Sequence, residues 1–160
     1  MTTYYIGSKE SKAVSGELIA DIQKFGKFEG VITRFITNGE AVLLNAKHVL
    51  SETSYNQITF RFPENIENKR YEFYENGPLQ PPSFAEFLCS GNWVRPHYSR
   101  VDAGHITFNF DLVEGTLDAE FNFTFYENTS QVERQVVGKI KDVKGLEHVK
   151  HSLGKEWPDE

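Results

Sequence analysis

Residues 104–127 constrain this chain more than any other stretch. Ile106, Phe108, Phe110 and Leu112 alternate with Thr107, Asn109 and Asp111. After Glu114-Gly115 the alternation resumes, with Leu117, Ala119, Phe121, Phe123 and Phe125 set against Asp118, Glu120, Asn122 and Thr124. A strand sends successive side chains to opposite faces, so each run is a strand with one apolar and one polar face. Gly115 supplies the backbone freedom of a tight reversal, which makes the pair an antiparallel hairpin. A sheet that is wet on one face must bury the other, by closing on itself or by packing on a second sheet. The polar face is expected to meet solvent. The alternative is a polar lumen, in which Asp111, Asp118 and Glu120 would share a low-dielectric space that raises carboxyl pKa values.

The same period recurs elsewhere. Leu18, Ala20 and Ile22 share a face at 16–23, and Ile58, Phe60 and Phe62 share one at 56–62, where Pro63 removes an amide donor. Tyr71 and Phe73 are in phase at 70–74, as are Val132, Val136, Gly138 and Ile140 at 132–141. Asn38-Gly39 favours a type I′ turn between strands at 31–37 and 40–44. Val42, Ala46, Val49 and Leu50 also fit helical spacing, which allows a helical turn over 47–51 after the second strand. From Trp93 to Tyr98 the pattern is weak and Pro96 interrupts it. Pro78, Pro81 and Pro82 make 76–83 an extended loop, and Phe84, Phe87 and Leu88 fit one face of a short helical turn. Leu146, Val149 and Leu153 predict a short C-terminal helix ending near Gly154.

These elements add up to an all-β fold, an antiparallel β-sandwich or β-barrel of about eight to ten strands with a short C-terminal helix. With 160 residues, 39% of them hydrophobic, a single all-β domain over 1–160 is expected, with 1–12 and 155–160 loosely ordered. Most of the 13 phenylalanines fall on apolar strand faces, so they read as rungs of a sheet core rather than a cofactor box. The heptad Gly16-Glu17-Leu18-Ile19-Ala20-Asp21-Ile22 echoes Gly115-Thr116-Leu117-Asp118-Ala119-Glu120-Phe121, a pattern any Gly-initiated amphipathic strand can repeat.

Charge narrows the partners. Lys and Arg total 17 against 23 Asp and Glu, a formal charge of −6. Nucleic-acid binding draws on a basic patch. Here Lys139, Lys141, Lys144 and Lys150 are interleaved with Asp142 and Glu147, the pattern of a solvated face, and no nucleic acid is expected. No apolar run reaches membrane-spanning length, and the N-terminus lacks the basic-then-apolar order of a signal peptide, so a cytoplasmic location is expected. The single Cys89 excludes an intrachain disulfide and reads as a buried thiol.

Catalytic signatures are missing from the sequence. It contains no Walker loop, Gly-x-Gly-x-x-Gly, HExxH or Gly-x-Ser-x-Gly, and the reading leans away from an enzyme. His148 and His151 are three apart, but a catalytic zinc needs a third protein ligand, so neither a metal nor a cofactor is expected. The segment 93–100 stands out instead. It gathers Trp93, Arg95, His97 and Tyr98 on what reads as a loop stiffened by Pro96. Trp, Tyr and Arg dominate binding hot spots, and aromatic faces stack on sugars and cations. These four, with His105 at the start of the strong hairpin, are the candidate ligand-binding residues. The expected function is a non-catalytic binding module that uses loops at one end of a β scaffold, with a protein or small molecule as partner. Two alternatives stay open. One is a barrel carrier or enzyme with an aromatic cavity for a small apolar ligand, to which His105, Asp111 and Asp118 add polar contacts. The other is a structural subunit that pairs through strand edges.

Overall fold

The computed structural model describes residues 14–149. They form ten strands: β1 (Ser15–Ile22), β2 (Gly26–Thr37), β3 (Ala41–Val49), β4 (Tyr55–Pro63), β5 (Arg70–Glu72), β6 (Ser83–Leu88), β7 (Trp93–Asp111), β8 (Thr116–Tyr126), β9 (Glu133–Lys144) and β10 (Glu147–His148). Eight of them close in the order β1-β2-β3-β4-β6-β7-β8-β9, with β9 pairing back onto β1 and every pair antiparallel. The fold is therefore a closed up-and-down barrel rather than a sandwich. β5 adds to β7 alone, and β10 runs parallel to the end of β2.

Period-two alternation explains most of this wall. Leu18, Ala20 and Ile22 of β1, Ile58, Phe60 and Phe62 of β4, and the apolar sets of β7 and β8 all face the interior and are buried. Asp111, Asp118 and Glu120 stand exposed on the outer wall, which settles the choice between solvent and lumen. Rings from different walls touch across the interior. Phe60 of β4 meets Phe121 of β8 with centroids 4.9 Å apart, and Phe62 meets Phe108 at 4.8 Å. Phe35 of β2 meets Phe110 of β7 at 6.4 Å, although these strands stand on opposite sides of the ring. Edge-to-face contacts of this kind fill an eight-stranded barrel with side chains.

Several local expectations are corrected. The Cα trace of 93–97 is strand, not loop: Pro96 pairs with Ala85 of β6. Its carbonyl faces the β8–β9 connection, where it accepts from Asn128 Nδ2 at 2.9 Å. A strand residue's N–H points the same way as its carbonyl, beyond the end of the β8 ladder, so proline's missing donor breaks no ladder bond. The pattern is weak because β7 changes phase. Between Ser99 and Gly104 it advances five residues while β8 advances two, from Phe125 to Phe123. Odd-numbered residues point inward above this bulge and even-numbered residues below it.

Phe84, Phe87 and Leu88 belong to strand β6 rather than a helical turn, and 47–49 continue β3. The Asn38-Gly39 hairpin forms, but Asn38 lacks the positive φ of a type I′ turn. Its carboxamide instead accepts from the amides of Glu40 and Ala41, both at 3.0 Å, and only Gly39 is left-handed, at φ 94. At the C-terminal side, 147–148 are extended in β10, because Val149 buries against Ile36 and Leu43 on the outside of the barrel. Leu153 and Gly154 lie outside the described residues. Cys89 is exposed in a three-residue turn. No helix among the described residues is long and apolar enough to cross a membrane.

Candidate functional site

The barrel's two ends differ in chemistry. At the end bearing the β2–β3 and β7–β8 turns, Val14, Ile66, Leu112 and Leu146 pack against the core and close it with apolar groups. At the opposite end, polar side chains occupy inward-facing positions. The register pairs His48 of β3 with Asn56 of β4, Asn56 with Glu86 of β6, and Glu86 with Arg95 of β7. Directly paired residues share a face, so the four form one arc around the mouth. One rung below, Ala46, Ile58, Phe84 and His97 pair in the same way and are buried.

His97 is 2% exposed and lies among Phe25, Phe84 and Phe125, with ring centroids 5.1–5.6 Å away. The Asn128 amide donates to its Nδ1 at 2.9 Å. The ring hydrogen therefore sits on Nε2, which donates to Glu86 Oε2 at 2.7 Å. Arg95 Nη1 approaches the same oxygen at 3.5 Å. Both imidazole nitrogens are thus engaged, and His97 holds the Glu86 carboxylate in place. Glu86 Oε1 makes no hydrogen bond among the described residues.

Asn56 is the unusual member of the arc. Its residue is 8% exposed, and its carboxamide has no hydrogen-bond partner among the described residues. Buried polar groups are nearly always satisfied, so an orphan of this kind calls for a physical explanation. Its neighbours have spare capacity as well. His48 accepts only a long bond from the Glu29 amide, at 3.4 Å to Nδ1, while its ring edge meets Phe28.

A second polar cluster stabilises this end. Glu127 is 4% exposed and receives Lys24 on Oε2, with Arg134 Nε and Nη2 on Oε1 at 3.0 and 2.8 Å. Ser130 Oγ adds a bond to Oε1 at 3.1 Å. The Lys24 and Arg134 bonds, with a smaller share from Ser130, outweigh desolvation and draw the carboxyl down to about 2. The cluster ties the β1–β2 turn to the β8–β9 loop, whose Asn128 sets the His97 tautomer.

The five residues picked from the sequence divide. Arg95 and His97 meet at Glu86. Trp93 shares their inward parity but stands at the rim, 62% exposed, and so does not plug the core. Tyr98 lies on the outer wall, 69% exposed, paired with Tyr126. His105 is also on the outer wall, below the bulge, with Nδ1 3.3 Å from Asn122 Nδ2. Neither Tyr98 nor His105 reaches the mouth. Sequence reasoning missed His48, Asn56 and Glu86, yet a signal existed. Each sits on the apolar parity of its strand: Asn56 with Ile58 and Phe60, Glu86 with Phe84, and His48 with Leu44 and Ala46.

No protein-family model, curated protein or solved structure matches the chain. The chemistry of the residues therefore has to carry the functional argument. Among the described residues no three His, Cys, Asp or Glu side chains gather as a metal-ligand set. What the mouth offers is hydrogen-bonding capacity of both signs on a rigid wall, above a packed aromatic floor.

Proposed function

We propose that the protein is a non-catalytic binding module that takes a small ligand at the polar mouth of the barrel. The observation that carries this reading is Asn56, buried, inward-facing and without a partner between His48 and Glu86. Leaving a buried amide unmatched lowers stability, and a ligand that hydrogen-bonds it would recover that cost. The engaged state of His97 supports binding over acid–base chemistry, which needs a free nitrogen within reach of substrate.

The two other readings have less support. A carrier with a deep apolar cavity is opposed by ring contacts that cross the lumen. Assembly through strand edges is opposed by closure, which leaves edges only at β5 and β10 among the described residues.

Mass spectrometry of small molecules released on denaturing the purified protein tests the proposal. The wild type is expected to release a species that Asn56→Leu lacks. Identical extracts from the two, together with a lower melting temperature for Asn56→Leu, would mean that Asn56 serves the fold and would sink the reading.

A further inference from the structure

From the charge balance of the arc we infer that the ligand is a neutral polyhydroxylated ring, a monosaccharide or the terminal sugar of a longer glycan. This rests on the mouth being the binding site. Glu86 carries the one carboxylate of the arc, and Arg95 and His97 hold its Oε2. A charged ligand would bring a charge for which the arc has no free counterpart, and unpaired charge in a half-buried site is costly. The capacity that remains is of a different kind. The Asn56 carboxamide offers an acceptor and two donors, Glu86 Oε1 accepts, Arg95 keeps donors beyond Nη1, and the free ring nitrogen of His48 adds another position.

A hydroxyl group both donates and accepts, so adjacent hydroxyls match this mixed set without bringing charge. An apolar ligand would leave the set unmatched. The arc spans neighbouring strands about 4.8 Å apart, a spacing that vicinal and 1,3-related hydroxyls can bridge. Trp93 completes the arrangement. It has the inward parity of Arg95 and His97 and is held at the rim by pairing with Leu88. An indole on the same strand face as the arc suits the C–H face of a sugar ring, which is apolar while the ring's edge is polar. Asn56 lies on the rung just inside Trp93 and Leu88, one rung beyond the buried pair of Ile58 and Phe84.

Nitrogen–proton correlation spectra of the labelled full chain test the class, with the Asn56 carboxamide and the Trp93 indole as reporters. Glucose, galactose, mannose and N-acetylglucosamine form the first set of probes, with their methyl glycosides and short oligomers as the second. Glycine, acetate and cyclohexanol form the third. At least one sugar is expected to shift both reporters saturably, with Kd on the order of 1 μM, tight enough for the sugar to be retained through purification. Tighter binding of oligomers would identify a glycan end, and equal binding a free sugar. Asn56→Leu and the exposed variant Trp93→Ala should each weaken that sugar at least about tenfold. If no sugar moves the reporters, the class is wrong. Saturable shifts from glycine, acetate or cyclohexanol would in that case preserve the mouth as a site for other chemistry, whereas silence from every probe would count against the site as well.

Discussion

Asn56 and Glu127 are both buried polar residues at the same end of the barrel, and they should respond oppositely to being made less polar. Asn56 lacks a partner, so Asn56→Leu removes an unsatisfied buried group worth about 1–3 kcal/mol. Calorimetry should find its melting temperature about 2–12 °C above wild type. Glu127 is over-supplied with donors, and Glu127→Gln leaves Lys24 and Arg134 facing a neutral amide. Its carboxyl falls from 4.5 to about 2 on folding, through the Lys24 and Arg134 hydrogen bonds first. A lowered carboxyl pKa stabilises the fold above the unfolded value and loses that contribution as pH drops toward the folded one. Wild type should therefore melt above Glu127→Gln by a margin that is complete above pH 4.5 and shrinks toward about pH 2. A margin that stays constant with pH would mean that the carboxylate charge is not what the cluster uses.

At the level of elements, β7 shows what was legible and what was not. Its lower half, from Ile106 to Phe110, was readable because one phase runs through it and β8 answers it residue for residue. Its upper half was not, because the bulge reverses the phase and the inward set from 93 to 97 contains Trp, Arg and His instead of aliphatic residues. The composition of 93–98 still pointed to Arg95 and His97, although on the wrong ground, since the segment is a wall and not a loop. His48, Asn56 and Glu86 were hidden differently. Each is a single polar residue on an apolar parity, and only the strand pairing of positions 48, 56 and 86 shows that the three stand side by side. The bulge itself depends on Gly104, at φ 101, where a Cβ would lie 2.3 Å from the Asn122 carbonyl oxygen. Gly104→Ala should cost at least about 2 kcal/mol, read from urea unfolding. Little change would show that the bulge relaxes freely and does not set the phase.

For the whole molecule the governing fact is a filled lumen. Phe60→Ala removes the ring that meets Phe121 across the interior and should cost about 3–5 kcal/mol in chemical denaturation. A loss well under 1 kcal/mol would indicate a lumen with room to spare and would revive the carrier. The all-β class was accessible from alternation alone, but the choice of barrel over sandwich was not, because closure is decided by β1 meeting β9 and neither strand's sequence names its partner. That seam also sets a timetable. Ser15 pairs with Lys144, so the first strand of the ring waits for the last. While the chain is being synthesised, β1 has only β2 beside it, and one of its edges stays open until nearly the entire barrel has emerged. Contacts this distant in sequence are slow to form, and unpaired edges are where growing chains stick to one another. The protein should therefore fold late and all at once, with its greatest exposure to aggregation falling just before the ring shuts.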